Sequence, residues 1–461
     1  MRILYFDIDS LRPDHLGCYG YARPTSPCID GVARQGMRFN RYYTSDSPCQ
    51  PSRSALTTGR FGIHNGIVTH GQAFNNLRIS QTGYSGPHPD EQLLQLRLRQ
   101  AGLETWCFST FALRHCATWF SLGWSGYFTP NLKCGQEAAE EVNAAALPWL
   151  EQHARDENWF CYINFWDPHR TYRTADVSYR DRFAGHPAPQ SWPDDAVLAE
   201  HMKLDGGPFT ACRQFVPGGE APPPLMPRQV GCRADFEQMI TGYDCEIAYT
   251  DDQVARVLKV LEKQGVLDDA IIIISADHGD NFGEHGIYSD HVCADEAIHH
   301  VPLIVRWPGV TTPGSVCDSM LYNVDLLPTL CEMVGLDAPA HCDGRSFAGH
   351  LHGSPAFDRD HLVWGHGLYT LQRAVRTRQH LMIRTYDNYG YTQFDPVALY
   401  DMDADPYQTH NLADAQPQQL AAMDHLLCQW EHDQRTKLWS GDDPLMSVLH
   451  HRQRTEARFA R

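Results

Sequence analysis

The sequence predicts an α/β fold: a large, mainly parallel sheet covered by helices, followed by a small C-terminal antiparallel subdomain. Three observations predict it. The apolar segments ILYFDID, NWFCYINFWDPHR and AIIIISADHGD each run into an Asp or an Asp and a His, the pattern of central strands buried on both faces whose ends carry chemistry. Helical patterns separate these segments, in the order expected of crossover connections. From about residue 356 the character changes to short segments with turn residues between them.

In chain order, ILYFDID supplies the first strand, with Asp7 and Asp9 at alternate positions. SPCQPSRSALTTGR follows, with a cysteine at the start of a short helical pattern. DEQLLQLRLRQAG and AAEEVNAAALPWLEQHA read as helices, and NWFCYINF as a strand leading to Asp167 and His169. From about 175 to 233 the chain is rich in Pro, Gly and polar residues, PGGEAPPPLMP among them, which predicts a loop-rich insert. DCEIAYTDDQVARVLKVLEKQG predicts a helix closing on Gly265. The isoleucines of AIIII then lead to Asp277 and His278. After VPLIVRWPG and a helix near VDLLPTLCEMVG, the segments HLVWGH, RAVRTRQHLMIRTY and ALYDMDADP predict short antiparallel strands. The expected division is a large α/β domain over 1–355 and a smaller subdomain over 356–461.

At 461 residues the chain can bury a large core. A formal net charge of −18 argues against a nucleic-acid or polyanion surface, so an anionic ligand must meet a local positive pocket. No run of eighteen apolar residues occurs, which argues against a membrane span. MRILYFDIDSLRPDHLG reads as a strand and not as a signal peptide, so a cytoplasmic location is expected from the sequence as it stands. The 15 cysteines are odd in number, scattered and free of C-x-x-C pairs, and are expected to be mostly reduced and buried.

Cys49 raises the sharpest question. A thiolate at a helix start would have a lowered pKa. Cysteine-dependent phosphatases, however, place five residues between Cys and Arg, whereas Arg53 follows after three and Ala55 stands at the required position. A buried structural thiol would leave Pro51, Ser52 and Arg53 unexplained. The third reading is a cysteine that is the precursor of another group.

CQPSRSALTTGR resembles the signature of formylglycine-dependent (type I) sulfatases of the alkaline phosphatase superfamily, in which the Cys of Cys-x-Pro-Ser-Arg is oxidised after translation to formylglycine. DSLRPDHLGCYGYARPTSPCIDGVARQGMRF, DPHRTY, SADHGDNFGEHG, ADEAIHHVPLIVRWPG and LYDMDADPYQTHNLAD are similar to further blocks of that family. The resemblance implies an alkaline-phosphatase-like sulfatase fold with 1–355 as its catalytic domain. It also implies a maturation enzyme that makes formylglycine, 3-oxoalanine, from Cys49.

The resemblance further implies catalytic roles for Cys49, Arg53, His169 and His291. A divalent metal, Ca²⁺ in the first place with Mn²⁺ or Mg²⁺ as alternatives, would be held by Asp9, Ser10, Cys49, Asp277 and His278. Many members carry Asp where Ser10 stands and Asn where His278 stands. A sulfate ester needs a strong nucleophile, charge neutralisation at its oxygens and an acid for the leaving group, and hydrated formylglycine offers geminal hydroxyls for the attack. The family lysine after the second metal block is absent from YSDHVCADEA, which leaves His291 as its replacement, with a charge expected to vary near neutral pH. In GLETWCFSTFALRH, Thr110 and Ala112 stand at a Lys and a His position, so Thr110, Arg114, His115 and His70 become the candidate substrate contacts.

The function so implied is hydrolysis of sulfuric esters on a small or oligomeric sulfated carbohydrate such as a glycosaminoglycan-derived saccharide. The acidic charge favours short or exo-cleaved substrates. A phosphonate monoester or phosphodiester hydrolase of the same superfamily is the alternative within the enzyme class, and a non-catalytic sulfated-glycan binding protein is the alternative outside it.

Overall fold

A computed structural model describes residues 1–71, 77, 93–204, 221–354, 357–437 and 442–459. The first strand, Arg2–Ile8, lies near the middle of an eight-stranded sheet. It is flanked in parallel by Trp159–Phe165 and Ala270–Ser275, with Asp7 level with both Asn164 and Ser275. Glu104–Phe108 and then Gly126–Phe128 extend the sheet in parallel on one side. On the other side Leu303–Arg306 runs antiparallel to Ala270–Ser275 and to Met37–Phe39, and Ser315–Cys317 closes the edge. The sheet is thus parallel through its centre and mixed on one flank.

The run AIIII explains the central position. Ile271, Ile272, Ile273 and Ile274 are all buried in one core with Ile3, Phe6, Phe160 and Ile163, and each fully buried side chain of this size contributes about 1.5–3 kcal/mol. Among the helices on the faces, Arg233–Lys263 begins well before the expected Asp244. The reason is an earlier apolar stripe, Phe236, Met239, Ile240 and Tyr243, at helical spacing and buried. Gly242 interrupts this stripe because a Cβ there would stand 2.4 Å from the Leu225 carbonyl oxygen.

The expected helix DEQLLQLRLRQAG is seen as Leu94–Gln100, its first residues lying outside the described residues. Residues 205–220 of the expected insert also lie outside them. The rest of that region holds a short helical stretch, Val177–Phe183, and the helix Asp195–His201.

A second sheet of five strands contains His361–His366, Leu371–Thr377, His380–Asp387 and Val397–Asp401, antiparallel to one another in that order. Its fifth strand comes from far upstream: Asp46–Ser47 pairs in parallel with Gly365 and His366. The helix Pro417–Thr436 covers this sheet, seating Met423 and Leu427 against Val363, Val375, Met382 and Leu399. We propose residue 356 as the start of a C-terminal subdomain; the short strand Asp46–Ser47 joins that subdomain's sheet immediately before Cys49.

Candidate active site

Because the three central strands run parallel, their carboxyl ends open on one edge of the sheet, where ligands bind in such folds. Asp9 follows the first strand directly, Asp277 lies two residues beyond Ala270–Ser275, and Asp167 and His169 follow Trp159–Phe165. Onto this edge the helix Cys49–Thr58 brings its N-terminus, every residue of it buried.

Cys49 lies at the meeting point of three overlapping groups of ligand-type side chains. Asp9, Cys49, Asp277 and His278 place donor atoms within 4.8 Å of one another, as do Cys49, His278 and His291, and Cys49, His70 and His115. The Cys49 Sγ lies 3.1 Å from His278 Nε2. His278 Nδ1 donates to the Gly279 carbonyl at 2.9 Å, so its Nε2 carries the lone pair that faces the sulfur. His169 Nδ1 likewise donates to the Arg170 carbonyl at 2.6 Å. His291 Nδ1 is held by Asp280 Oδ1 at 2.8 Å. Three imidazoles thereby present Nε2 and keep Nδ1 for the protein, the arrangement in which ring orientation and tautomer are set from behind.

Arg53 is fully buried and organises the carboxylates. Its Nε donates to Asp7 Oδ2 at 2.6 Å, and one terminal nitrogen, Nη1, donates to Asp9 Oδ2 at 3.0 Å and Asp277 Oδ2 at 2.6 Å. The other, Nη2, is buried without a hydrogen-bond partner. Asp7 also accepts from the Tyr162 hydroxyl, which fits a structural carboxylate. Ser10, in the left-handed region at φ 59°, donates from Oγ to Asp9 Oδ1 at 3.0 Å. Its own N–H donates to Asp277 Oδ1 at 3.2 Å.

Charge at the site does not balance within the protein. Burial opposes the ionised form of Asp9, yet Arg53 and the surrounding imidazoles hold its carboxyl below the usual range. Burial raises Asp277 well above that range, with Asp9 and Asp7 adding to the rise against Arg53. Three buried carboxylates face one guanidinium, and a bound divalent cation would offset the excess negative charge. Oxygen donors from Asp9 and Asp277 with a nitrogen from His278 suit such an ion.

The Cys49 thiol agrees with setting the thiolate reading aside: burial, then Asp9 and Asp277, push it well above the usual value, so the unmodified side chain stays protonated. One expectation needs correction. His291 does not titrate near neutrality, because burial and then His278 push it down to about 3. Burial also lowers His169 to about 4.

The remaining expected contacts divide. His70 accepts from the Gln50 backbone N–H at 3.3 Å, and its ring lies 4.5 Å from that of His115, so both histidines join the Cys49 neighbourhood. Arg114 lies over Trp166 and donates to the Cys134 carbonyl. Thr110 is buried and turned away from the role expected of it: it donates to Glu137 at 2.6 Å and accepts from the Trp166 indole at 2.7 Å, holding that wall in place.

Two residues escaped the sequence reading. Asp280, which orients His291, lies in the DHGD run and was legible as a carboxylate three residues beyond Asp277. Gln50 has no exposure, and both its amide atoms lack a hydrogen-bond partner beside Cys49; the variable position of Cys-x-Pro-Ser-Arg carries no signal for it.

A mainly parallel sheet that holds a carboxylate and imidazole centre against a helix-initial cysteine defines a hydrolase with a metal-type centre at a strand edge. Residues 2–336 match the sulfatase family, and residues 283–434 match the C-terminal region of N-sulphoglucosamine sulphohydrolases. The chain belongs to the sulfatase family.

Among its relatives is an N-acetylglucosamine-6-O-sulfatase of Bacteroides thetaiotaomicron, 23% identical over 89% of this chain and 82% of that one. The human iduronate 2-sulfatase is 24% identical over 75% of this chain and 71% of its own length. A solved structure in complex with its substrate D-glucosamine-2-N,6-O-disulfate superposes with a TM-score of 0.74 at 20% identity, covering 96% of this chain and 99% of the other. The phosphonate monoester hydrolase of Agrobacterium radiobacter superposes with a TM-score of 0.69 at 19% identity, covering 94% and 96%.

Proposed function

We propose that this sulfatase removes sulfate from a small or oligomeric sulfated saccharide, of the glycosaminoglycan-derived kind, after a maturation enzyme has converted Cys49 to formylglycine. The observation that carries the reading is the convergence on Cys49 of three groups: Asp9, Asp277 and His278; His278 and His291; and His70 and His115. The saccharide class is supported by the relatives active on N-acetylglucosamine-6-O-sulfate and iduronate 2-sulfate groups.

Asp9, Asp277, His278 and the modified Cys49 would hold a divalent metal, with Ser10 backing Asp9; Ca²⁺ is the first choice and Mn²⁺ or Mg²⁺ the alternatives. Such an ion would neutralise sulfuryl oxygens, and formylglycine would supply the nucleophilic hydroxyl. The chain's own residues do the rest. Arg53 holds the carboxylates in register and keeps one unpaired donor. His291, braced by Asp280, and His169 present unprotonated Nε2 atoms that can accept the proton of the attacking hydroxyl and hand it to the leaving oxygen. His70 and His115 lie beside Cys49 as a separate group, where a neutral, hydrogen-bonding wall suits a sugar sulfate.

The test compares kcat/KM of matured enzyme on sulfated saccharides, an aryl sulfate and an aryl phosphonate, with mass spectrometry of the Cys49 peptide. Turnover of sulfate esters only by protein whose Cys49 carries the aldehyde supports the reading. Dominant phosphonate turnover would instead establish the second reading, phosphonate monoester or phosphodiester hydrolysis. That reading is favoured by His278 at the metal position and by the likeness to phosphonate monoester hydrolase. Binding of sulfated saccharide with Cys49 unmodified and no turnover would establish the non-catalytic reading.

A further inference from the structure

A second group of ligand-type side chains lies outside the centre described above. His285, Cys293 and Asp295 place donor atoms within 4.8 Å of one another. His285 Nε2 stands 3.9 Å from Asp295 Oδ2, the two side chains being 6% and 0% exposed. Despite that burial, His285 Nε2 has no hydrogen-bond partner of good geometry among the described residues. The Gln408 amide reaches the same imidazole in a loose hydrogen-bonding contact. Gln408 is 3% exposed, and neither its amide oxygen nor its amide nitrogen has a partner of good geometry among the described residues. Buried polar atoms without good partners cost up to about 1–3 kcal/mol each in ordinary circumstances, and here the His285 and Gln408 atoms meet in no more than a loose contact beside a thiol and a carboxylate.

We infer that His285, Cys293 and Asp295, with Gln408 as a neutral fourth donor, form a binding site for a borderline-soft divalent cation of the Zn²⁺ type. The donor set decides the ion. Ca²⁺ and Mg²⁺ need six or more oxygens, whereas one sulfur, one imidazole nitrogen and one or two oxygens suit four-coordinate Zn²⁺. Charge agrees: a cation of charge two with one thiolate and one carboxylate leaves the buried site neutral. Binding expels the Cys293 proton to solvent as the sulfur–metal bond forms, and no electron transfer is involved.

The remaining contacts of the group serve as outer support. Asn281 Nδ2 donates to Asp295 Oδ2, and the Ile298 N–H donates to Asp295 Oδ1 at 3.1 Å. Cys293 Sγ lies 3.6 Å from Asn281 Oδ1. The site has a structural consequence: three ligands come from the segment on either side of the strand Tyr288–Asp290, which also carries His291, and the fourth follows the last strand of the C-terminal sheet. The ion would lock that loop to the C-terminal part of the chain.

Co²⁺ added to the metal-stripped full-length protein is the probe, because a thiolate ligand gives a sulfur-to-cobalt charge-transfer band in the near ultraviolet. The measurement is made in the Cys49→Ala background, so that the catalytic position cannot supply the sulfur. A saturable band there, lost in Cys49→Ala/Cys293→Ala, supports the site. Absence of the band in Cys49→Ala, or its survival in the double variant, overturns it. Should the double variant fail to fold, Cys49→Ala/His285→Gln and Cys49→Ala/Gln408→Ala retain the thiol and carry the test. A Co²⁺ affinity roughly tenfold or more weaker in them is expected, and unchanged affinity overturns the assignment.

Discussion

Replacing Asp46 by Asn should remove a pH dependence of stability that the strand leading to Cys49 imposes on the whole molecule. Asp46 is buried, and its Oδ2 accepts from the Gly62 N–H at 2.8 Å and the Ser45 hydroxyl at 3.0 Å. Burial outweighs these bonds and pushes its carboxyl up to about 7, against about 3.9 in an unfolded chain. Between those values the folded protein holds a proton that the unfolded chain has released. Stability is therefore greatest below about pH 4, falls as pH rises to about 7, and is flat above. At 1.36 kcal/mol per pH unit the loss amounts to roughly 4 kcal/mol. Asn keeps an acceptor for Gly62 and cannot ionise. Urea unfolding of wild type and Asp46→Asn at pH 5 and pH 8 gives four free energies, whose double difference cancels every other titrating group. Because pH 5 already lies above the unfolded value, the expected double difference over this interval is about 2.6 kcal/mol in favour of the variant at the higher pH. A double difference below about 1 kcal/mol would refute the assignment of a proton to Asp46.

Arg53→Met leaves Asp7, Asp9 and Asp277 without their shared cation and should lower the stability of metal-free protein by about 3–5 kcal/mol in denaturant unfolding; a change near zero would mean that the pairs contribute no stability. Asp280→Asn should lower kcat by roughly 10²-fold with KM little altered, through misorientation of His291, and should shift the pH profile of kcat; an unchanged profile assigns Asp280 a packing role only. Chelation of the divalent ion proposed at Asp9, Asp277 and His278 should abolish turnover and lower Tm, with both restored by the first-choice cation Ca²⁺ or by Mn²⁺ or Mg²⁺, and the order of restoration in kcat measurements identifies the ion.

Much of this arrangement was legible in the chain because it is local. A continuous apolar run followed by Asp and His announces a strand end with chemistry, and such runs place Asp9, His169, Asp277 and His278 on one sheet edge. CQPSR did the same for the helix start. The pairing of Arg53 with Asp7 was not legible, because it depends on how deeply the helix inserts over the first strand. Nor was the burial beside two carboxylates that raises the Cys49 thiol, a tertiary property that a helix start does not announce. Thr110 shows the opposite failure, since its position in a motif said nothing about Glu137 and Trp166 occupying its hydroxyl. The helix Pro417–Thr436 was passed over although Leu420, Met423, Leu427 and Trp430 mark its inner face at helical spacing.

The pairing of Asp46–Ser47 with the C-terminal sheet also imposes an order of events in the life of the chain. Ser47 is hydrogen-bonded to His366, 319 residues later in the sequence, and Cys49 is 1% exposed once that contact exists. An enzyme that oxidises Cys49 must therefore reach it while the downstream strands are still unmade or unfolded. At ordinary rates of synthesis the interval between the two segments lasts roughly 15–60 s. On the formylglycine mechanism proposed above, a polypeptide that closed before the modification was complete would trap an inert thiol at the nucleophile's position, and the fraction of active enzyme would be decided by a race between oxidation and folding.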